Sequence, residues 1–232
     1  MSKHSLALIV GAGDGLSAAL ARAFTRDAGL RAVLASRHPA RLAELAAELD
    51  GVALGCDATD PAQVAALFER IDRELPGALE LVVYNPGLRV VGAVADVDPA
   101  QVADALAVNA YGGFLVAQQA ARRMLANGRG TLLFTGASAS IKGYPRSAAF
   151  AMGKFALRGL AQSLARELAP QGVHVAHVVI DGQIAHPQRA RPDTPDAQLD
   201  AAAIAAEYLR LARQPRSAWS WEVELRPWVE RF

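Results

Sequence analysis

Seven short apolar runs, each followed by a longer Ala- and Leu-rich run, constrain this chain more than any other feature. The short runs fall at residues 6–10, 31–35, 52–56, 79–83, 131–135, 174–180 and 221–225. Helical stretches are expected between and beside them, at 16–27, 39–49, 61–74, 99–107, 111–127, 148–169 and 197–213. Pro39, Pro61 and Pro99 stand where first helical turns begin, Asp60 and Asp98 are placed as N-caps, and Gly29 and Gly172 follow helix ends. Strands that alternate with helices in this way build parallel βαβ units. A length of 232 residues suits one such domain with a large core, so residues 1–232 read as a single unit.

Composition removes several classes of function. The chain is 52% hydrophobic with a net charge of +1, unlike a disordered or nucleic-acid-binding protein. Cys56 is the only cysteine, which leaves no disulfide framework or cysteine-based zinc site and fits a reducing compartment. Met1-Ser2-Lys3-His4 leads straight into a short apolar run that is unlike a signal peptide, and no run approaches membrane-spanning length. A cytoplasmic enzyme with no nucleic-acid or membrane partner is therefore expected. His174 and His177 sit three apart on a strand and face opposite ways, so no metal site is expected. Residues 185–195, rich in Pro and Arg, read as a mobile loop.

The first apolar run delivers Gly11-Ala12-Gly13-Asp14-Gly15-Leu16-Ser17 to a helix start. The spacing Gly-x-Gly-x-x-Gly fails at Leu16, yet the turn lies between a first strand and a helix, the context a dinucleotide site requires. Gly11, Gly13 and Gly15 let backbone amides approach a pyrophosphate beside the start of a helix, with Asp14 and Leu16 in the same turn. After the second strand comes Ser36-Arg37, where an acidic residue would bind the ribose hydroxyls of NAD. A hydroxyl and a guanidinium suit a 2′-phosphate, so NADP (NADPH) is favoured over NAD; a solvated arginine is the alternative.

Further along, the chain reads Tyr84-Asn85-Pro86-Gly87, then Val108-Asn109-Ala110, then Thr135-Gly136-Ala137-Ser138, then Phe150-Ala151-Met152-Gly153-Lys154. Together these segments resemble the short-chain dehydrogenase/reductase family over nearly the whole chain. The glycine turn keeps that family's Gly-x-x-x-Gly-x-Gly at Gly11 and Gly15, with Ser17 in the third place. The resemblance implies a single-domain Rossmann-type doubly wound α/β fold, with about seven parallel strands and helices on both faces. It implies cofactor contacts from Asp57, Asn85, Gly87, Lys154, Gly182 and Ile184, although Asp57 suits a turn cap equally well. Asn109 would hold a water on the proton path, and Lys154 the nicotinamide ribose; a snorkelling surface lysine is the alternative.

The departure is Phe150, which stands where the family carries its proton-donating tyrosine. Ser138 is the nearest match to the carbonyl-polarising serine, although a count back from Phe150 puts Ala137 there. Ser140 and Tyr144 are the other hydroxyls nearby, Tyr144 on a loop that rims the pocket in relatives. Divergent enoyl reductases share the Gly11-to-Ala19 turn but place a tyrosine seven before the lysine, where this chain has Ser147. The catalytic candidates are therefore Asn109, Ser138, Lys154 and Tyr144. The reading is an NADP-dependent oxidoreductase acting on a small carbonyl or activated alkene. The alternative is a catalytically weak NADP-binding sensor or scaffold. Asp181 and His186 replace the family's Pro and Thr after the sixth strand. Three tryptophans near the C-terminus, Trp219, Trp221 and Trp228, suggest a homodimer or homotetramer that buries them.

Overall fold

The computed structural model describes residues 5–186, 194 and 196–230. Its strands are β1 (Leu6–Val10), β2 (Arg31–Ser36), β3 (Val52–Gly55), β4 (Leu79–Tyr84), β5 (Gly130–Thr135), β6 (Val173–Ile180) and β7 (Glu222–Leu225). All neighbours pair in parallel, in the order β3-β2-β1-β4-β5-β6-β7. The helices are α1 (Leu16–Arg26), α2 (Ala43–Glu48), α3 (Pro61–Glu74), α4 (Pro99–Leu106), α5 (Gly112–Asn127), α6 (Ala148–Leu168) and α7 (Ala201–Ala212).

Alternating side chains divide the strands between two cores. Leu6, Leu8 and Val10 of β1 join Val64, Phe68, Val116, Met124 and Leu157 from α3, α5 and α6. Ala7 and Ile9 join Leu20, Phe24, Ala46, Ile204 and Tyr208 from α1, α2 and α7. A strand covered on both faces must be apolar throughout, which explains the unbroken run at residues 6–10. The chain winds outward from β1 to β3 and returns beside β1 as β4. The reversal opens a crevice at the carboxyl ends of β1 and β4, where ligands bind in open α/β sheets.

Local chemistry sets most element ends as expected. The Asp60 carboxylate accepts from Ala62 N and Gln63 N, and that of Asp98 from Ala100 N. Where the structure differs, a hydrogen bond or a covered face explains it. The helices expected at 99–107 and 111–127 are joined by a π-helical turn, Ala107–Tyr111, whose wide winding gives the Val108 carbonyl to the Tyr84 hydroxyl at 2.6 Å. The last helix begins at Ala201 rather than 197, because Asp200 caps it and residues 183–185 hydrogen-bond with Leu199 instead. The helix expected from residue 39 opens as a 3-10 turn, Pro39–Leu42. Of the expected 185–195 loop, residues 187–193 and 195 lie outside the described residues, as does the 1–4 segment.

The tryptophans correct the argument for association. Trp219 stacks on His174 with ring centroids 4.9 Å apart, and Trp221 lies beneath the Arg158 guanidinium at 5.5 Å. Only Trp228 is strongly exposed, at 79%. Exposed large apolar side chains gather instead on the α5 and α6 segment, at Tyr111, Phe114, Met152 and Phe155.

Candidate active site

A cleft of about 770 Å³ opens at the crevice between β1 and β4. Of the residues singled out from sequence, Gly11, Gly13, Asp14, Ser36, Arg37, Asp57, Asn85 and Gly87 line it. Gly11 has φ +77°, and a Cβ there would come within 2.7 Å of the Pro86 ring, so only glycine serves. Gly13 has no neighbour within 4 Å of such a Cβ and leaves its backbone open to the cleft. Gly15 is the residue before α1. Leu16 contributes no side chain to the cleft, since it is 5% exposed and packs into the core beneath α1.

Ser17 does more than keep helix close to strand. Its hydroxyl donates to Gly11 O at 3.2 Å and accepts from Asn85 Nδ2 at 2.8 Å, which ties the glycine turn to the end of β4. Asp57 accepts from Thr59 N and Thr59 Oγ1 at 2.9 and 2.8 Å. These hydrogen bonds hold its carboxyl below the usual range, and Arg37 nearby adds to the effect. The turn-cap reading of Asp57 and its place on the cleft are thus both observed. His38 and Arg41 also line the cleft beside Arg37. Their signal in the sequence is the four-residue spacing of Arg37 and Arg41 across the Pro39 turn.

Lys154 and Asn109 do not line the cleft themselves; they meet behind its wall at residues 86–88, where Lys154 Nζ and Asn109 Oδ1 each lie 3.8 Å from where a Gly87 Cβ would stand. Lys154 is 3% exposed, and its Nζ donates to Thr135 O at 2.8 Å and to Pro86 O at 3.4 Å. A surface, snorkelling lysine is excluded. Burial lowers its pKa to about 8, because a low-dielectric site disfavours the ammonium. Asn109, fully buried, donates Nδ2 to Leu88 O at 2.8 Å and accepts Leu88 N at 3.0 Å. Both groups thereby grip the strand exit at residues 86–88. Gly153 permits this contact, since a Cβ there would lie 2.6 Å from that of Asn109. The Tyr84 hydroxyl holds the same π-turn from below, a role that the sequence did not disclose.

Phe150 sits one turn before Lys154 on α6, with its ring centroid 5.9 Å from Nζ. Ser138 starts a 3-10 turn, Ser138–Ser140, in a half-buried position. Ser140 is buried and its Oγ accepts Ala137 N at 3.1 Å. Tyr144 is 45% exposed, on the loop between β5 and α6, and no described contact joins it to Lys154. Gly182 has φ +148° and packs against Pro227, while Ile184 bridges to Leu199; neither lines the cleft.

A second buried network lies behind Lys154. His177 Nδ1 is 3.0 Å from Glu222 Oε2, and Arg158 pairs with the same carboxylate at 2.6 and 2.7 Å. Burial drives the His177 pKa down to about 4, so the ring is neutral at pH 7. Burial pushes the Glu222 carboxyl up, and Arg158 with His177 outweighs that and leaves it low. Asp181, 4% exposed, is paired with Lys142 and Arg226, each at 3.1 Å. None of these pairs is visible in sequence, because the partners lie 39 or more residues apart. Cys56 is buried with its thiol pushed up to about 11, chiefly by desolvation, and is unreactive.

A doubly wound parallel sheet with a glycine turn at its reversal point, opposite a buried lysine, defines a Rossmann-type α/β protein. More narrowly, the chain belongs to the short-chain dehydrogenase family of oxidoreductases: residues 5–189 match the family model "short chain dehydrogenase". It is 34% identical over 174 residues to the inactive 2-(S)-hydroxypropyl-CoM dehydrogenase 2 of Xanthobacter autotrophicus, covering 74% of each chain. The solved structure of a short-chain dehydrogenase from Rhodopseudomonas palustris is 35% identical, with a TM-score of 0.83 over 97% of this chain and 99% of that one. A metagenomic short-chain oxidoreductase solved in complex with NADP is 26% identical, with a TM-score of 0.82 over 97% and 99%.

Proposed function

We propose that this chain is an NADP-dependent oxidoreductase that transfers a hydride between NADPH and a small carbonyl compound or activated alkene. The observation that carries the reading is the junction of Lys154, Asn109 and the 86–88 strand exit, which itself lines the same cleft as Arg37. The residues present suit the dinucleotide. Gly11 and Gly13 leave open backbone for a pyrophosphate, and Ser36 with Arg37 offers a hydroxyl and a guanidinium to a 2′-phosphate. The nicotinamide, when bound, supplies the hydride.

The chain's own residues then hold and move the proton. Two of the three ammonium hydrogens of Lys154 are committed to Thr135 O and Pro86 O, which leaves the third for a ribose hydroxyl. Asn109 fixes the strand exit that shapes the nicotinamide side. Phe150 takes the place of the phenol that donates the proton in relatives, so Ser138, Tyr144 or water supplies it here. Gly92 N donates to Arg146 O at 2.9 Å, which joins the loop carrying the exposed Val91 and Val94 to the loop carrying Tyr144.

Phe150 also favours a second reading, a weakly active NADP-binding sensor or scaffold. Turnover decides between them. NADPH oxidation with a simple diketone, abolished by Lys154→Met in a folded variant, supports the enzyme. Tight NADPH binding with no turnover above the buffer rate supports the sensor. Two or four copies assemble through the apolar α5 and α6 face around Tyr111, Phe114 and Phe155. Sedimentation equilibrium tests this, and a monomer at micromolar concentration contradicts it.

A further inference from the structure

We infer that His177 is a positioning residue for Lys154, tying the helix that carries the lysine to the strand end that orients it. The inference rests on the NADP reading above and adds to it a residue that does not line the cleft. The ring sits on β6 with no exposure to solvent. Its Nδ1 donates to Glu222 Oε2 at 3.0 Å, because that ionised carboxylate can only accept. The same carboxylate takes Arg158 through both oxygens, from Nε at 2.6 Å and from Nη2 at 2.7 Å. Arg158 stands one turn after Lys154 on α6, so this arm reaches the lysine's own helix.

The opposite edge of the ring meets the lysine's acceptor. A Cβ at Gly136 would collide with His177 Nε2, so the ring packs on the strand backbone itself. Gly136 follows Thr135, whose carbonyl takes the Lys154 ammonium at 2.8 Å. It also opens the corner that leads to Ser138, and Ser140 Oγ lies 2.9 Å from the same Cβ position. Helix and carbonyl are thus set against one side chain. Stability alone does not account for an imidazole here. Nε2 has no hydrogen-bond partner among the described residues, and a buried nitrogen left unpaired is destabilising. An apolar side chain of similar volume would fill the space without that cost and leave Glu222 paired with Arg158. What the ring adds is a directed link from β7 and α6 to the end of β5. The charged groups that face it are Glu222 on β7 and Arg158 and Lys154 on α6, and burial keeps it neutral between them.

A double-mutant cycle on NADPH affinity separates positioning from bulk. His177→Leu is expected to weaken NADPH by about tenfold where Lys154 is present, and by less than about twofold beside Lys154→Met. His177→Gln, which keeps a donor for Glu222, recovers most of the loss. The pH profile gives a second reading. Affinity in wild type falls as the pH rises past about 8, where the ammonium of Lys154 is lost. His177→Leu brings that fall to lower pH, since a displaced Thr135 carbonyl no longer favours the ammonium. His177→Asn, too short to reach from Glu222 to Gly136, repeats the cycle if the fold rejects leucine. An equal loss with and without Lys154 overturns the inference, because it marks a general loosening of the fold. Affinity and pH midpoint equal to wild type in a folded variant overturn it too, and either result leaves the NADP reading intact. A wild-type protein that does not bind NADPH overturns both.

Discussion

Phe150→Tyr adds one oxygen on α6 near Lys154, and its effect can be sized in advance. Lys154 Nζ lies 5.9 Å from the Phe150 ring centroid. With that centroid distance taken for the phenolate charge as a whole, an ammonium about 6 Å away at an effective dielectric of about 20 is worth about 3 kcal/mol. That is about two pKa units, enough to bring the introduced phenol from about 10 to about 8. A general acid so placed typically contributes about 10²–10⁴-fold, or about 3–5 kcal/mol of barrier. The assay is NADPH consumption with a small diketone or quinone, by loss of nicotinamide absorbance. Wild type and variant are compared at matched NADPH saturation. The variant should exceed wild type by at least about 10² at neutral pH, with the gain falling off above pH of about 8. A folded variant with wild-type NADPH affinity and less than about a threefold gain would refute the reasoning. The pocket would then lack more than the phenol.

Two further outcomes test the supports of the site. Tyr84→Phe removes the hydroxyl that meets Val108 O at 2.6 Å and leaves that carbonyl buried. It should cost about 1–3 kcal/mol in urea unfolding and also weaken NADPH binding, because the π-turn that it holds carries Asn109; unchanged stability contradicts the assignment. His177 makes the fold acid-sensitive. Its folded pKa of about 4 lies below the unfolded value of 6.5, so the unfolded chain takes up the proton first. The penalty is absent above about pH 6.5 and grows to about 3 kcal/mol as the pH falls toward 4. Urea midpoints from pH 7 to 4.5 should show a steeper loss in wild type than in His177→Gln, and parallel curves would rule this out.

How much was legible in the sequence depended on how far apart the interacting residues lie. The sheet was, because each strand's apolar run and each cap is local: Asp60, Asp98 and the prolines act within four residues of their own position. The cleft was largely legible for the same reason, since Gly11, Gly13, Arg37, Asn85 and Gly87 sit at strand ends. The residues that hold the site from behind were not. Nothing local marks Tyr84 as a support, because its hydroxyl meets the Val108 carbonyl, 24 residues away. Leu16 looked like part of the turn's contact surface, yet a side chain at the first position of α1 points into the core. The His177–Glu222–Arg158 network spans β6, β7 and α6, and no local pattern announces it.

The central claim is that the cleft between β1 and β4 takes NADPH in preference to NADH. The most direct test is a titration of the purified protein with each nucleotide, followed by energy transfer from tryptophan to the reduced nicotinamide. The account predicts saturable binding of both, tighter for NADPH by tenfold or more through Arg37 and abolished for NADPH selectivity in Arg37→Ala. Equal affinity for the two would contradict the 2′-phosphate assignment, and binding of neither would remove the cofactor from the account altogether.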